Sequence, residues 1–233
     1  MTIQLSLHDA LRTTGAVRDF QPEPVDDSTL RRILDTARFA PSGGNRQAWR
    51  VVVVRDTSAR RRLRDLYLPG WYQYLAQAGA GLVPFAPITD EGAERDAVAT
   101  APALAESAAR EPGGFAEHLE DVPVLLALFA DLRLLAAVDK DADRYSFAGG
   151  ASVYPFAWSI LLAARAEGLA GVITTMPLRR EAEVKTLLGA PEEVALAAVI
   201  AMGVPVHQPT RLTRQPVDSF VRVDRFDGGL MGG

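Results

Sequence analysis

The chain has 233 residues, 48% hydrophobic and 23% charged, with a net charge of −4 and no cysteine. That is an ordinary globular mix, long enough for one large domain or two small ones, and it excludes disorder and fibrous architecture. The acidic balance leaves no basic footprint for nucleic acid, and a chain without thiols has no disulfide, iron–sulfur cluster, thiolate zinc site or cysteine nucleophile. The N-terminal MTIQLSLHDA lacks the basic-then-apolar pattern of a secretory signal. The most apolar runs, 153–164 and 194–206, fall short of the roughly 18 to 20 residues of a spanning helix. A cytoplasmic protein with no membrane partner is expected.

In chain order, residues 7–12 predict a short first helix. The run DDSTLRRILDTARFA repeats Leu30, Ile33, Leu34 and Ala37 at helical spacing, with Asp26 or Asp27 as cap and Pro41 as stop. PSGGN is a turn cluster, and residues 49–54 form a β-branched run suited to a buried strand. Residues 60–77 read as helical on both sides of Pro69 and Gly70. Residues 82–122 lose their pattern, with prolines at 84, 87, 102 and 112 and helical turns only around 97–110. So long an irregular stretch is characteristically a lid or mobile excursion.

A second buried strand is expected over 122–129. The helix from about 152 to 167 is apolar nearly all round and must be covered on most faces, by its own domain or by another subunit. A strand at 171–175, a helix at 179–188 closed by Gly189 and a very apolar strand at 194–206 follow. Residues 205–233 have no core of their own and read as an arm lying on another surface. With neither a repeat nor a linker, residues 1–233 are expected to form one domain.

Several chemistries are excluded by near misses. Gly150-Ala151-Ser152-Val153-Tyr154 approaches a nucleophile elbow, but a tyrosine replaces the second glycine that its sharp turn needs. His8, His118 and His207 stand apart from metal-ligand spacings, so no metal site is expected. There is neither GxGxxG nor GxxxxGK[ST], hence no Rossmann pyrophosphate loop and no P-loop.

What remains is Arg12 to Phe20 (RTTGAVRDF), Ala40 to Trp49 (APSGGNRQAW), and Arg211 with Arg214. Arginines from both ends of a chain can converge on a phosphate through charge-assisted hydrogen bonds. Asn45 and Gln47 each offer a donor and an acceptor for the edge of a heterocycle, beside a glycine turn that a flat ligand can approach. On spacing alone, a turn that merely stops a helix and a set of solvated arginines account for the same residues.

Four segments in order settle the comparison: VRDFQPEPV, ARFAPSGGNRQAWRVVVV, SILLAARAEGLAGVITT and VIAMGVPVHQPTRLTRQPV. Together they resemble the FMN-dependent nitroreductase family of flavoenzymes over nearly the whole chain. The resemblance implies an α+β fold, a mixed and largely antiparallel sheet wrapped by helices, and a homodimer with two FMN sites at the subunit interface and an extended C-terminal arm. It places Arg18 at the flavin pyrimidine edge or ribityl chain, Pro41, Ser42, Asn45 and Gln47 along the ring, and Thr174 and Thr175 near N5. Arg214 becomes a phosphate ligand, with Arg211 as a second. The family often has a basic residue and a serine where this chain has Thr14 and Ala16, and Arg12 stands close enough upstream to supply the missing charge.

The implied reaction takes hydride from NADH or NADPH at flavin N5 and gives it to a nitroaromatic, quinone or other electrophile; no acid–base triad is required, and no side chain is assigned a catalytic role. Other flavin chemistry (oxidation, dehalogenation or flavin breakdown) and non-catalytic FMN storage are the alternatives. Trp71, Tyr72 and Tyr74 either pack into the core or, standing at the edge of the 82–122 excursion, line a substrate pocket under a lid. Trp71 and Tyr72 point to different helical faces, so at most one is expected to face that pocket while the other packs inward.

Overall fold

The computed structural model describes residues 5–144 and 146–231. Its elements run α1 (Leu7–Thr13), α2 (Asp27–Ala37), β1 (Trp49–Val53), α3 (Thr57–Gly79), α4 (Glu91–Val98), α5 (Ala101–Arg110), β2 (Val124–Asp131), α6 (Tyr154–Ala166), β3 (Ala170–Thr174), α7 (Glu181–Leu188) and β4 (Val194–Gly203). The strands form one sheet in the order β1-β2-β4-β3, with every neighbouring pair antiparallel. A parallel bridge joins Ala16 to Gly171, so the N-terminal segment runs alongside β3. The fold is α+β, as expected.

The sheet is the middle of three layers. All eight residues of β2 are buried. Val124, Leu126, Leu128 and Ala130 meet α2 and α6, while Leu125, Ala127 and Phe129 meet the layer of α3 and α7. This is the two-sided burial that a continuous apolar run requires. In β4, Ile200 and Met202 face the first layer and Val199 and Ala201 the second, but Val194 and Leu196 also face the second. The parity changes because Ala197 is an extra residue at the irregularity opposite Leu128 and Phe129. The Tyr154 hydroxyl donates to the carbonyl of Ala197 at 3.1 Å.

Local signals explain most boundaries. Asp26 accepts from the Thr29 N–H and starts α2, whose Leu30, Ile33 and Ala37 are buried. Gly189 ends α7 in the left-handed conformation (φ 63°). α3 is one helix rather than two pieces, with Pro69 inside it. The greatest departure from expectation is the stretch 82–122, which carries two helices. Asp90 caps α4 by accepting from Gly92 and Ala93, and Pro102 lies in the first turn of α5, where its missing N–H breaks no helical bond.

α6 packs against α2 and the sheet and buries Phe156, Ala157, Ile160, Leu161, Ala163 and Ala164, while Tyr154, Trp158 and Leu162 are only partly covered. Beyond β4 the chain crosses α1 as far as Leu212, which presses on Gly15. Among the described residues, every hydrogen bond of residues 216–231 stays inside that stretch, and Phe220, Phe226 and Leu230 are exposed. No helix among the described residues is long and apolar enough to cross a membrane.

Candidate functional site

The loop after α2 is built around three consecutive constraints. The Gly43 N–H donates to the hydroxyl of buried Ser152 at 2.9 Å, and a Cβ on Gly43 would lie 2.6 Å from that of Ala136. Gly44, Asn45 and Gln47 all have positive φ, at 60°, 53° and 50°. Two non-glycine residues in that region within three positions are uncommon, and such strain clusters at ligand clamps. The Gln47 N–H donates to Ser42 Oγ at 3.0 Å and its side-chain amide donates to Asn45 Oδ1 at 3.2 Å, so the two amides present as one unit. Pro41, Asn45 and Gln47 are exposed, whereas Ala48 is buried and Trp49 stacks on Phe156 at 4.6 Å, which anchors the loop's far end.

A second group forms where the N-terminal segment meets the sheet. Val17 donates to Gly171, Gln21 to Val204, and Val206 to Asp19, leaving Arg18 exposed between these ties. On the same side Thr174 donates to the hydroxyl of Tyr67 on α3 at 3.5 Å, and the Met176 N–H donates to Thr174. Burial pushes the Tyr67 hydroxyl above its ordinary pKa, against the hydrogen bond from Thr174 and the charge of Arg18, so it stays protonated at neutral pH. Thr175 follows, exposed and with φ −107° and ψ 1°. Arg18 lines a cleft of about 630 Å³ with Phe20, Phe115 and His118; His118 pairs with Asp121 at 3.3 Å.

The third group is a cleft of about 680 Å³ between α1 and the arm, lined by Arg12, Arg211 and Arg214 together with His8 and Asp9. None of the three arginines has a carboxylate within 4.0 Å among the described residues; Arg214 donates only to its neighbour's carbonyl, at 2.7 Å. Asp9 is taken up by Ser6 at 2.6 Å in capping α1. Beside the cleft, Gln208 donates to the carbonyl of Thr13 at 3.2 Å, while its own Oε1 and the buried Thr14 Oγ1 have no partner among the described residues. None of residues 41–47 lines this cleft. Thus the residues singled out in the sequence fall into three places on one chain.

Trp71 and Tyr72 do point apart. Tyr72 is buried against Ala76 and Ala101, and its hydroxyl donates to Glu117 at 3.1 Å. Burial, then that hydrogen bond, push its pKa up to about 12. Trp71 stacks on Tyr74 with rings 5.4 Å apart and 5° from parallel. The column continues to Phe85, over which lies the guanidinium of Arg179. Phe85, Arg179 and the buried Gln77 carry no motif, and sequence reasoning missed them.

The described residues form an α+β protein whose helix-covered antiparallel sheet is joined by a strained amide-rich loop and a cleft of three arginines that no carboxylate approaches within 4.0 Å. Its family follows from comparison. Residues 11–204 match the Nitroreductase family, and the chain belongs to it. It is 31% identical over 206 residues to a NADH dehydrogenase of Thermus thermophilus, covering 88% of this chain and 90% of that one. It is 25% identical over 217 residues to human iodotyrosine deiodinase 1, covering 92% of this chain and 67% of the other. Its fold is similar to that of an NADPH:FMN oxidoreductase from Vibrio harveyi solved with NAD+, with a TM-score of 0.64, 19% identity, and coverage of 94% and 77%.

Proposed function

We propose that the protein is an FMN-dependent oxidoreductase that uses NADH or NADPH to reduce a nitroaromatic, quinone or related electrophile. The observation that carries this reading is the meeting of Arg12, Arg211 and Arg214 in one cleft without carboxylate partners, in a chain of this family. A phosphate monoester needs positive charge and N–H donors that no internal anion already occupies, and these residues fit it. FMN, when bound, supplies the redox chemistry: it takes hydride at N5 and passes it on.

The chain's own residues bind and orient. Arg12, Arg211 and Arg214 hold the phosphate. Asn45 and Gln47 present paired amides to the ring edge, on the loop begun by Pro41 and Ser42, and Arg18 supplies positive charge at the pyrimidine end. Thr174 and Thr175 close the N5 side, where the protonated Tyr67 keeps Thr174 in place. Because the loop and the arginine cleft lie apart on one chain, a second copy brings them together: the partly covered side of α6 and the arm's exposed Phe220, Phe226 and Leu230 supply its surface. Deleting residues 215–233 is expected to give a monomer, by light scattering, that also loses flavin; a truncated protein with full dimerisation and FMN retention contradicts this arrangement.

The kinship to iodotyrosine deiodinase supports a second reading, reductive dehalogenation on the same flavin. Anaerobic addition of NADH or NADPH tests the first: rapid bleaching of bound flavin, followed by reoxidation on adding a quinone, is expected. Flavin that stays oxidised under both nucleotides contradicts it, and bleaching with turnover confined to iodotyrosine favours the second.

A further inference from the structure

One face of α3 carries Tyr67, Gly70, Trp71 and Tyr74, and the turn after β3 lies against it. A Cβ on Gly70 would come within 2.7 Å of Met176 Sδ and 3.0 Å of Arg179 Cδ, so the stem of Arg179 rests on the helix backbone. Its guanidinium carbon sits 4.5 Å from the centroid of Phe85. Phe85 is held there deliberately: its φ is 56°, in the region that L side chains rarely adopt, and its N–H donates at 2.8 Å to Oε1 of Gln77, which is 1% exposed. Tyr74 lies 6.5 Å from Phe85 and Trp71 stacks on Tyr74, so the guanidinium closes one end of an aromatic wall.

The charge of Arg179 is unspent. Its neighbour Arg180 pairs with Glu183 at 2.6 Å, but Arg179 has neither a carboxylate within 4.0 Å nor a hydrogen bond among the described residues, and it is exposed. A guanidinium with one face on a ring still offers its planar N–H fork to a carboxylate or phosphate. Arg179 follows Thr175 by a single turn of chain, Met176–Arg180.

We propose that Arg179, braced on Phe85, is the anion-recognition residue on the substrate side of the site, binding the carboxylate or phosphate of an aromatic ligand that lies along Trp71 and Tyr74. The inference rests on the oxidoreductase reading and deepens it by naming the ligand class. The anion has two sources: a carboxylate on the electron acceptor, or the 2′-phosphate that distinguishes NADPH from NADH.

Equilibrium dialysis of the flavin-loaded protein against two matched pairs tests it without turnover: 4-nitrobenzoate against neutral 4-nitrobenzamide, and NADP+ against NAD+, oxidised nucleotides that differ in the same 2′-phosphate and cannot reduce the flavin. Wild-type protein is expected to prefer the more anionic member of at least one pair. Arg179→Gln is expected to weaken that member by about tenfold or more while its twin moves by less than about twofold, and Arg180→Gln, with the same loss of formal charge one residue on, leaves both unchanged. A loss confined to 4-nitrobenzoate assigns the acceptor's carboxylate, and one confined to NADP+ assigns the 2′-phosphate. Equal affinities in the wild type, or an Arg179→Gln effect that is absent or shared by both twins, overturn the proposal. Failure of the oxidoreductase reading shows separately, as wild-type flavin that neither NADH nor NADPH bleaches.

Discussion

Two arginine clusters in this molecule look alike in sequence and differ in what surrounds them. At the end of β2, Arg133 grips Asp131 through one edge of its guanidinium, Nε donating at 3.0 Å and Nη2 at 2.9 Å, and Arg50 adds a third contact at 3.2 Å; the carboxylate is 2% exposed. At the meeting of α1 and the arm, Arg12, Arg211 and Arg214 share a cleft whose single acidic residue is committed to a helix cap. The first cluster is complete within the chain and serves the fold. In the second, no carboxylate lies within 4.0 Å of any of the three guanidinia among the described residues, and the proposed phosphate site rests on that difference. Arginine count distinguishes nothing here; the carboxylate inventory does.

The sharpest way to break the comparison is to remove one member of the second cluster. Arg214→Ala is expected to weaken FMN retention by on the order of 1.5 to 3 kcal/mol, the scale of a hydrogen bond to a charged group, with the melting temperature of the apoprotein unchanged. Fluorescence titration and thermal melts check the two halves; full FMN occupancy at low flavin concentration counts against the assignment.

The first cluster is sharpened by pH. The hydrogen bond from Arg133, outweighing burial, lowers the Asp131 carboxyl from its ordinary 3.8 to about 2. A depressed carboxyl pKa contributes stability that is fully present above the unfolded value and is lost as pH falls through the folded one, here between about pH 4 and 2. Arg133→Ala is expected to remove most of that acid-dependent loss by lowering stability already at neutral pH. Melts from pH 6 downward that are parallel in wild type and variant rule this role out.

Smaller effects separate packing from ligand contact. Tyr72→Phe removes a buried hydroxyl's bond to Glu117 and is expected to cost about 1 kcal/mol of stability with little effect on acceptor kinetics. An altered Michaelis constant for a quinone in that variant would place Tyr72 in the substrate pocket after all. Gln47→Gly relieves a positive φ and is expected to change stability by less than about 1 kcal/mol, while flavin affinity falls because the amide pair with Asn45 is gone. Unaltered flavin binding would reduce the loop to a helix stop.

The comparison also explains what the sequence could and could not convey. α2, β1, the two-sided burial of β2 and the stop at Gly189 were legible because strong apolar spacing and a cap or breaker coincide there. β4 ends at Gly203 rather than at Val206, and its bulge at Ala197 was invisible because alanines at 195, 197 and 198 give no contrast between faces. The helical turns expected around 97–110 are α5, but α4 and the extent of helix escape for the same reason: the buried positions are Ala97 and Ala101, and small residues blur the helical stripe while Pro102 marks a start, not a break. Of the candidate site, Arg18, Asn45, Gln47 and Arg214 were found through motif resemblance. Phe85 and Arg179 were not, because their relation depends on a strained φ and a tertiary stack that leave no local pattern.

The central claim, that the cleft of Arg12, Arg211 and Arg214 holds the phosphate of FMN, is tested most directly by titrating the apoprotein with FMN and with riboflavin, which differ only in that phosphate. The account predicts FMN binding at least about tenfold tighter than riboflavin, with most of the difference lost in Arg214→Ala. Equal affinity for the two flavins in the wild-type protein would contradict it.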